Sequence, residues 1–216
     1  MAPTIEVQGV AVVVLGSFNP PMYHPAFLAE VGVAPPLDDS GAALIITGDI
    51  AQFPVLHMTF SADRAKLEVQ APEPPWESIR DLAVSALELA GSAPIRAVGI
   101  NKRRHYALGS DDAWHAAGHT LVPKDMWEPM LVQPGTRRLD VEGTRPDGRD
   151  GRILVTVEPS LRVQNGLYIQ VNDHFALGTE DDPARPDDAV SIISEVFKDS
   201  LDRADDIMDR LLEAVT

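Results

Sequence analysis

The chain has 216 residues, 44% of them hydrophobic, which is enough to bury a substantial core in a single domain. It contains no cysteine and carries a net charge of -15; the first excludes a disulfide framework or thiolate metal site and suits a reducing compartment, and the second repels a polyphosphate backbone. The segment MAPTIEVQGV has no basic stretch ahead of an apolar run, and the longest apolar run, Val10 to Leu15, is too short to span a bilayer, so a cytoplasmic protein with neither a membrane nor a nucleic-acid partner is expected.

Glu6 to Leu15 is rich in β-branched and small apolar residues and ends at Gly16 and the turn Ser17-Phe18-Asn19-Pro20-Pro21. Apolar side chains on both of its faces predict a central strand covered on each side, or covered by a partner. His24-Pro25 opens a short helix that Gly32 stops. Ala43 to Thr47 reads as a short strand, and Pro54 to Phe60 with Ala65 to Gln70 as a hairpin around Ser61-Ala62-Asp63-Arg64. Trp76, Ile79, Leu82, Ala83, Ala86, Leu87 and Ala90 then keep helical spacing up to Gly91.

Ile95 to Leu108 predicts a long strand with a bulge near Gly99. Ser110-Asp111-Asp112 starts a helix, its carboxylates at the positive end. Leu139 to Thr144 and Arg152 to Glu158 flank a turn-rich segment, and Asn165-Gly166 marks a hairpin before the alternation of Leu167, Ile169 and Val171. Asp187 or Asp188 caps a final helix whose apolar stripe runs from Val190 through Phe197, Leu201 and Met208 to Leu212. From Glu180 onward twelve acidic residues face four basic ones, which reads as a solvated acidic helix.

The acidic, proline-studded stretches APEPPWES (Ala71 to Ser78) and DDPARPDD (Asp181 to Asp188) each precede a long helix and follow a set of strands. The fold class expected is therefore α+β: a mainly antiparallel sheet with two longer helices on one face, in pseudo-duplicated β-α-β(n)-α halves of a single domain, divided at about residues 1–91 and 92–216. This element order resembles the duplicated TATA-binding-protein-like arrangement or a helix-grip sheet. Fold likeness does not carry DNA binding with it, and the acidic balance opposes it. At GINKRRHY (Gly99 to Tyr106), DDAWHAAGH (Asp111 to His119), EPSLRVQNG and VNDHF (Val171 to Phe175) the chain also resembles bacterial hypothetical proteins of similar size. That resemblance implies a bacterial origin and supplies no site residue.

Candidate chemistry is sparse. His115 and His119 share a helix face if Gly118 does not end the helix, and could bind a metal with His105, or with Asp173 and His174, as further ligands. Between Asn101 and Tyr106 the chain is dense in cations; on a strand, Lys102 and Arg104 point one way, Arg103 and His105 the other. By the same alternation Asn172 and His174 share a face while Asp173 does not, so Asp173 and His174 cannot readily act together as acid and base. Asn101, Arg104, His105, Asn172 and His174 are the candidate ligand-binding set. Trp76, Trp114 and Trp127 with Met126 and Met130 read as core filling.

No GxSxG, GxxxxGK[ST] or GxGxxG pattern occurs. The reading is a non-enzymatic protein without a cofactor that acts through protein contacts, as a homodimer or a subunit of an assembly; the apolar strand at Val10 to Leu15 and the final helix motivate it. The rival reading is a small-ligand or metal-binding protein or enzyme with a pocket between sheet and helices.

Overall fold

Strand alternation sorts the side chains of β1 (Thr4–Gly16) into two sets. Val10, Val12 and Val14 are fully buried on one face, while Ala11 and Val13 belong to the other. The structure, a computed structural model describing residues 2–37 and 43–216, places β1 beside β6 (Ile95–Ala107) at the middle of a nine-stranded antiparallel sheet. The other strands are β2 (Ile45–Ile46), β3 (Ile50–Val55), β4 (Met58–Asp63), β5 (Lys66–Ala71), β7 (Leu139–Thr144), β8 (Gly151–Pro159) and β9 (Gly166–Ala176). Their order is β2-β3-β4-β5-β1-β6-β9-β8-β7. Outward from the centre, β1-β5-β4-β3 and β6-β9-β8-β7 repeat one meander, which is the pseudo-duplication expected.

Each central strand is followed by a short helix, α1 (Pro25–Glu30) or α3 (Asp111–Leu121), and each meander by a longer one, α2 (Glu77–Glu88) or α4 (Pro186–Val215). Ser110 caps α3 by accepting from Ala113 N. Arg185, not Asp187 or Asp188, is the N-cap of α4: Pro186 begins the 30-residue helix, and Asp188 inside its first turn accepts from the Arg185 backbone N–H. On α4, Ile193, Val196, Phe197, Leu201, Ala204, Met208 and Leu212 are buried. Fully burying a side chain of this kind contributes about 1.5–3 kcal/mol, so the stripe is consumed within the chain. The four α-helices of the described residues share one face of the sheet: α2 and α4 cover Val12, Ile100 and Phe175, while α1 follows Tyr23, which packs on Phe60, and α3 packs over Tyr106 and Leu167.

Four expectations need correction. The first hairpin is two hairpins, because the chain turns at Leu56-His57 with Leu56 at φ 54°, so Pro54 to Phe60 is not one strand. The strand at Ala43 to Thr47 shortens to Ile45–Ile46. Gly99 pairs regularly with Val13; the register shifts lie between Ile5 and Val7 and between Leu15 and Gly16. Met126, Trp127 and Met130 do not fill the core: they are exposed, in a turn-rich segment after α3.

Beneath α4 the helix-covered face is not wholly apolar. Asp173 is buried and accepts from Arg145 and, at 2.5 Å, from Arg203 of α4. Arg145 also grips Asp147 and lies 3.6 Å from the Phe175 ring centroid. Its hydrogen bonds hold the Asp147 carboxyl below the usual carboxylate range. Lys102 and Arg104 reach Asp205 of α4. These pairs pin the long helix to β6 and β9 at fixed points along its length.

Candidate functional site

No helix packs on the opposite face of the sheet among the described residues. Register brings the polar residues of this open face into rows. Asn101 pairs with Asn172, Gly99 with His174 and Arg103 with Gln170 across β6 and β9, while Ala11 faces Gln70 and Val13 faces Glu68 across β1 and β5. The two central strands contribute small side chains here, namely Gly9, Ala11, Val13, Ala97 and Gly99, together with the larger Leu15, Asn101 and Arg103. The flanking strands contribute long polar ones. A strip of small residues between taller polar walls is a trough, with a volume of about 270 Å³.

The trough is lined with amides. Gln170 Nε2 donates to Asn101 Oδ1 at 3.3 Å. A Cβ on Gly99 would stand 3.4 Å from Asn172 Oδ1 and 3.5 Å from Asn101 Nδ2, so both amides lie over that glycine. Asn172 Oδ1 is buried and has no hydrogen-bond partner among the described residues. A buried acceptor left unpaired costs about 1–3 kcal/mol, which a donor entering the trough would recover. Burial, then the charges of Arg152 and Arg145, push the His174 imidazole below its usual range, so it is neutral near pH 7.

Arg103 closes one end of the trough. Its Nη2 donates to Gln70 Oε1 at 2.9 Å, which lays the guanidinium across the floor above Gly9. Three neighbouring cations of this face each have a carboxylate: Lys66 has Glu68, Arg152 has Glu142, and Arg138 has Asp140 and Glu158, while Arg162, near His105 and outside the trough lining, has none among the described residues. Among the described residues Arg103 has none.

Of the five candidate ligand residues, the structure gathers Asn101, Asn172 and His174. His105 is on the same face but six residues beyond Gly99, about 20 Å along the strand. There it lies against Tyr168 at 4.8 Å between ring centroids, with Nδ1 2.8 Å from Ser160 Oγ. Arg104 is not part of the site: it lies on the helix-covered face with Asp205, and Arg103 is the open-face arginine. The set therefore does not surround a pocket between sheet and helices.

His115 and His119 do share a face, since α3 continues through Gly118 to Leu121. The further ligands proposed for them are elsewhere: His105 and His174 are on the open face, and Asp173 is held by two arginines. Among the described residues no three His, Asp or Glu side chains form a metal-sized group. Both histidines instead border a cavity of about 940 Å³ between α3, residues 118–136 and the β7–β8 edge, lined by Trp114, Leu121, Leu139, Val157 and Leu167. Sequence reasoning missed the trough walls Gln70, Glu68 and Gln170, whose only signal was their alternation with apolar residues.

No protein-family description matches the chain, and no curated protein matches it significantly. Among the described residues, no helix is long and apolar enough to cross a membrane.

Proposed function

We propose that this is a non-enzymatic bacterial protein of the cytoplasm that acts through protein contacts, using the open face of its sheet to receive a partner polypeptide. One observation carries the reading: among the described residues every helix lies on one side, while the centre of the other side is a trough lined with amides, an unpaired acceptor and an arginine without a carboxylate. Amide side chains complement a peptide backbone, which offers one donor and one acceptor per residue. The absence of cysteine favours the reducing compartment.

The basis for self-association is weaker than the sequence suggests, because the α4 stripe is spent on the sheet and on α2. A polar trough also suits a partner chain better than a second flat sheet. Photo-crosslinking in the bacterium that encodes the protein tests the reading. A crosslinker at Gln170 on the open face should capture a defined partner, whereas one at exposed Asp199 on α4 should not. Adducts only from position 199, or none from 170, would end it.

The α3 cavity favours a second reading, as a binder of small apolar molecules, since its size and lining are those of a ligand pocket. A thermal-shift screen with neutral apolar compounds in which none raises Tm would remove it.

A further inference from the structure

We infer that the trough recognises a free α-carboxylate, the carboxyl-terminal end of an extended peptide, with Arg103 as its anchor. The inference rests on the reading that the open face binds a polypeptide, and it names what that face reads.

Lys66, Arg138 and Arg152 are each neutralised by a carboxylate, and among the described residues Arg103 is the one lysine or arginine in the trough lining, so it is the cation a ligand anion there can claim. Glu68, the acid in the trough lining, is spent on Lys66. A guanidinium is a planar fork of five N–H groups matched to the two oxygens of a carboxylate, and Gln70 takes only Nη2.

The backbone is adapted to that arginine. A Cβ on Gly9 would meet Arg103 Nε at 3.0 Å and Cζ at 3.2 Å, so glycine lets the guanidinium lie low over β1 at the end of the trough. A carboxylate held there has the chain preceding it directed over Ala11 and Val13, beside the amides of Asn101 and Asn172 that cover Gly99. Along that path a backbone N–H can donate to the orphaned Asn172 Oδ1, and the neutral His174 ring offers a further partner. The small floor residues leave room for an extended backbone, and their spacing suits small or modest side chains.

A free amino acid carries the same carboxylate and an N–H donor beside it, so the experiment compares both sources. Fluorescently labelled random tetrapeptides ending in a free carboxylate, the same pool with amidated ends, and unlabelled free amino acids as competitors are titrated against the intact protein by anisotropy. The free-acid pool should bind, and amidation should weaken binding at least ten-fold. Arg103→Met should lose the preference for the free acid, Arg103→Lys should keep part of it, and Gly9→Ala should weaken binding. Melting curves verify that each variant folds. The amidated comparison needs no variant, so a misfolded mutant cannot decide the outcome.

Equal binding of free-acid and amidated pools would overturn the carboxylate assignment, while capture of a partner from position 170 would still uphold the open-face reading. Competition by single amino acids at the peptide's own affinity would uphold carboxylate recognition and overturn the polypeptide partner. No binding of either pool, with Arg103→Met leaving capture at 170 intact, would overturn the inference outright; loss of capture in wild type would overturn both.

Discussion

Asp205 of α4 is shared by two cations of one strand: its Oδ1 lies 2.5 Å from Lys102 Nζ and 2.9 Å from Arg104 Nη2. Burial holds the Lys102 ammonium below the usual lysine range, and Asp205 opposes that shift. Removing the acid leaves two cations under a helix, with only the more distant Asp202 as counter-charge for Lys102. Asp205→Ala should destabilise the fold by about 1–3 kcal/mol in urea unfolding, the lower part of the range for broken ion pairs because the aspartate itself is partly exposed. Lys102→Met in the same background should restore much of the loss.

The Arg145–Asp173 pair is more deeply placed, with side-chain exposures of 0% and 2%. Arg145→Ala strands a buried carboxylate beside Arg203 alone and should cost about 3–5 kcal/mol. Denaturant melts read this directly, and a loss below about 1 kcal/mol would contradict the role assigned to the pair.

Two glycines should respond with opposite sign. Gly151 has φ 134°, and a Cβ there would fall 2.0 Å from the His174 carbonyl oxygen, so Gly151→Ala should lower stability by about 3 kcal/mol or more and disturb the β8–β9 pairing. Gly118 lies inside α3 with open space around its Cα, so Gly118→Ala should raise stability by about 0.5–1 kcal/mol. Thermal melts of the two variants measured side by side would show it.

Tyr23 is buried with its hydroxyl unpartnered among the described residues, and burial pushes its phenol far above the usual range; Tyr106 and Tyr168 are raised for the same cause. The folded chain prefers these phenols protonated. As pH rises above about 10 the unfolded chain gives up its protons first, so stability falls across that window. Tyr23→Phe should be about 1 kcal/mol more stable at pH 7 and should flatten the alkaline fall.

On the acid side, His105 and His174 are held below the usual imidazole range by burial and neighbouring arginines. The unfolded chain therefore binds protons first as pH drops below about 6.5, and stability declines there. His105→Asn with His174→Asn should flatten Tm between pH 7.5 and 5.5.

Much of this was legible in the sequence because alternation is strictly local. The period of two separates Lys102 and Arg104 from Arg103 and His105, and Asn172 and His174 from Asp173, as the sheet does. Asn165 and Gly166 mark the β8–β9 hairpin, Asn165 at φ 52° ending the loop of residues 160–165 and Gly166 opening β9. What escaped was non-local or set by tertiary packing. Nothing near Asp173 announces Arg145 or Arg203, since each pair joins distant segments. Leu56 adopts a left-handed φ that its side chain does not favour, so the turn that splits the first hairpin carries no glycine or asparagine signal. Gly118 reads as a helix stop, yet the Ser110 cap and burial of Ala117 outweigh a penalty of about 1 kcal/mol.

The junction of β1 with β6 has a consequence for biosynthesis. These 13-residue strands come from opposite halves of the chain and pair along nearly their whole length. While the ribosome is still making the second half, the nascent first half can complete only one side of β1 and carries a long, sticky ladder edge towards solvent. Emergence of residue 107 completes the seam and moves the open edge to β6, which waits for β9, so a translation stall before residue 107 should expose the β1 edge and favour aggregation.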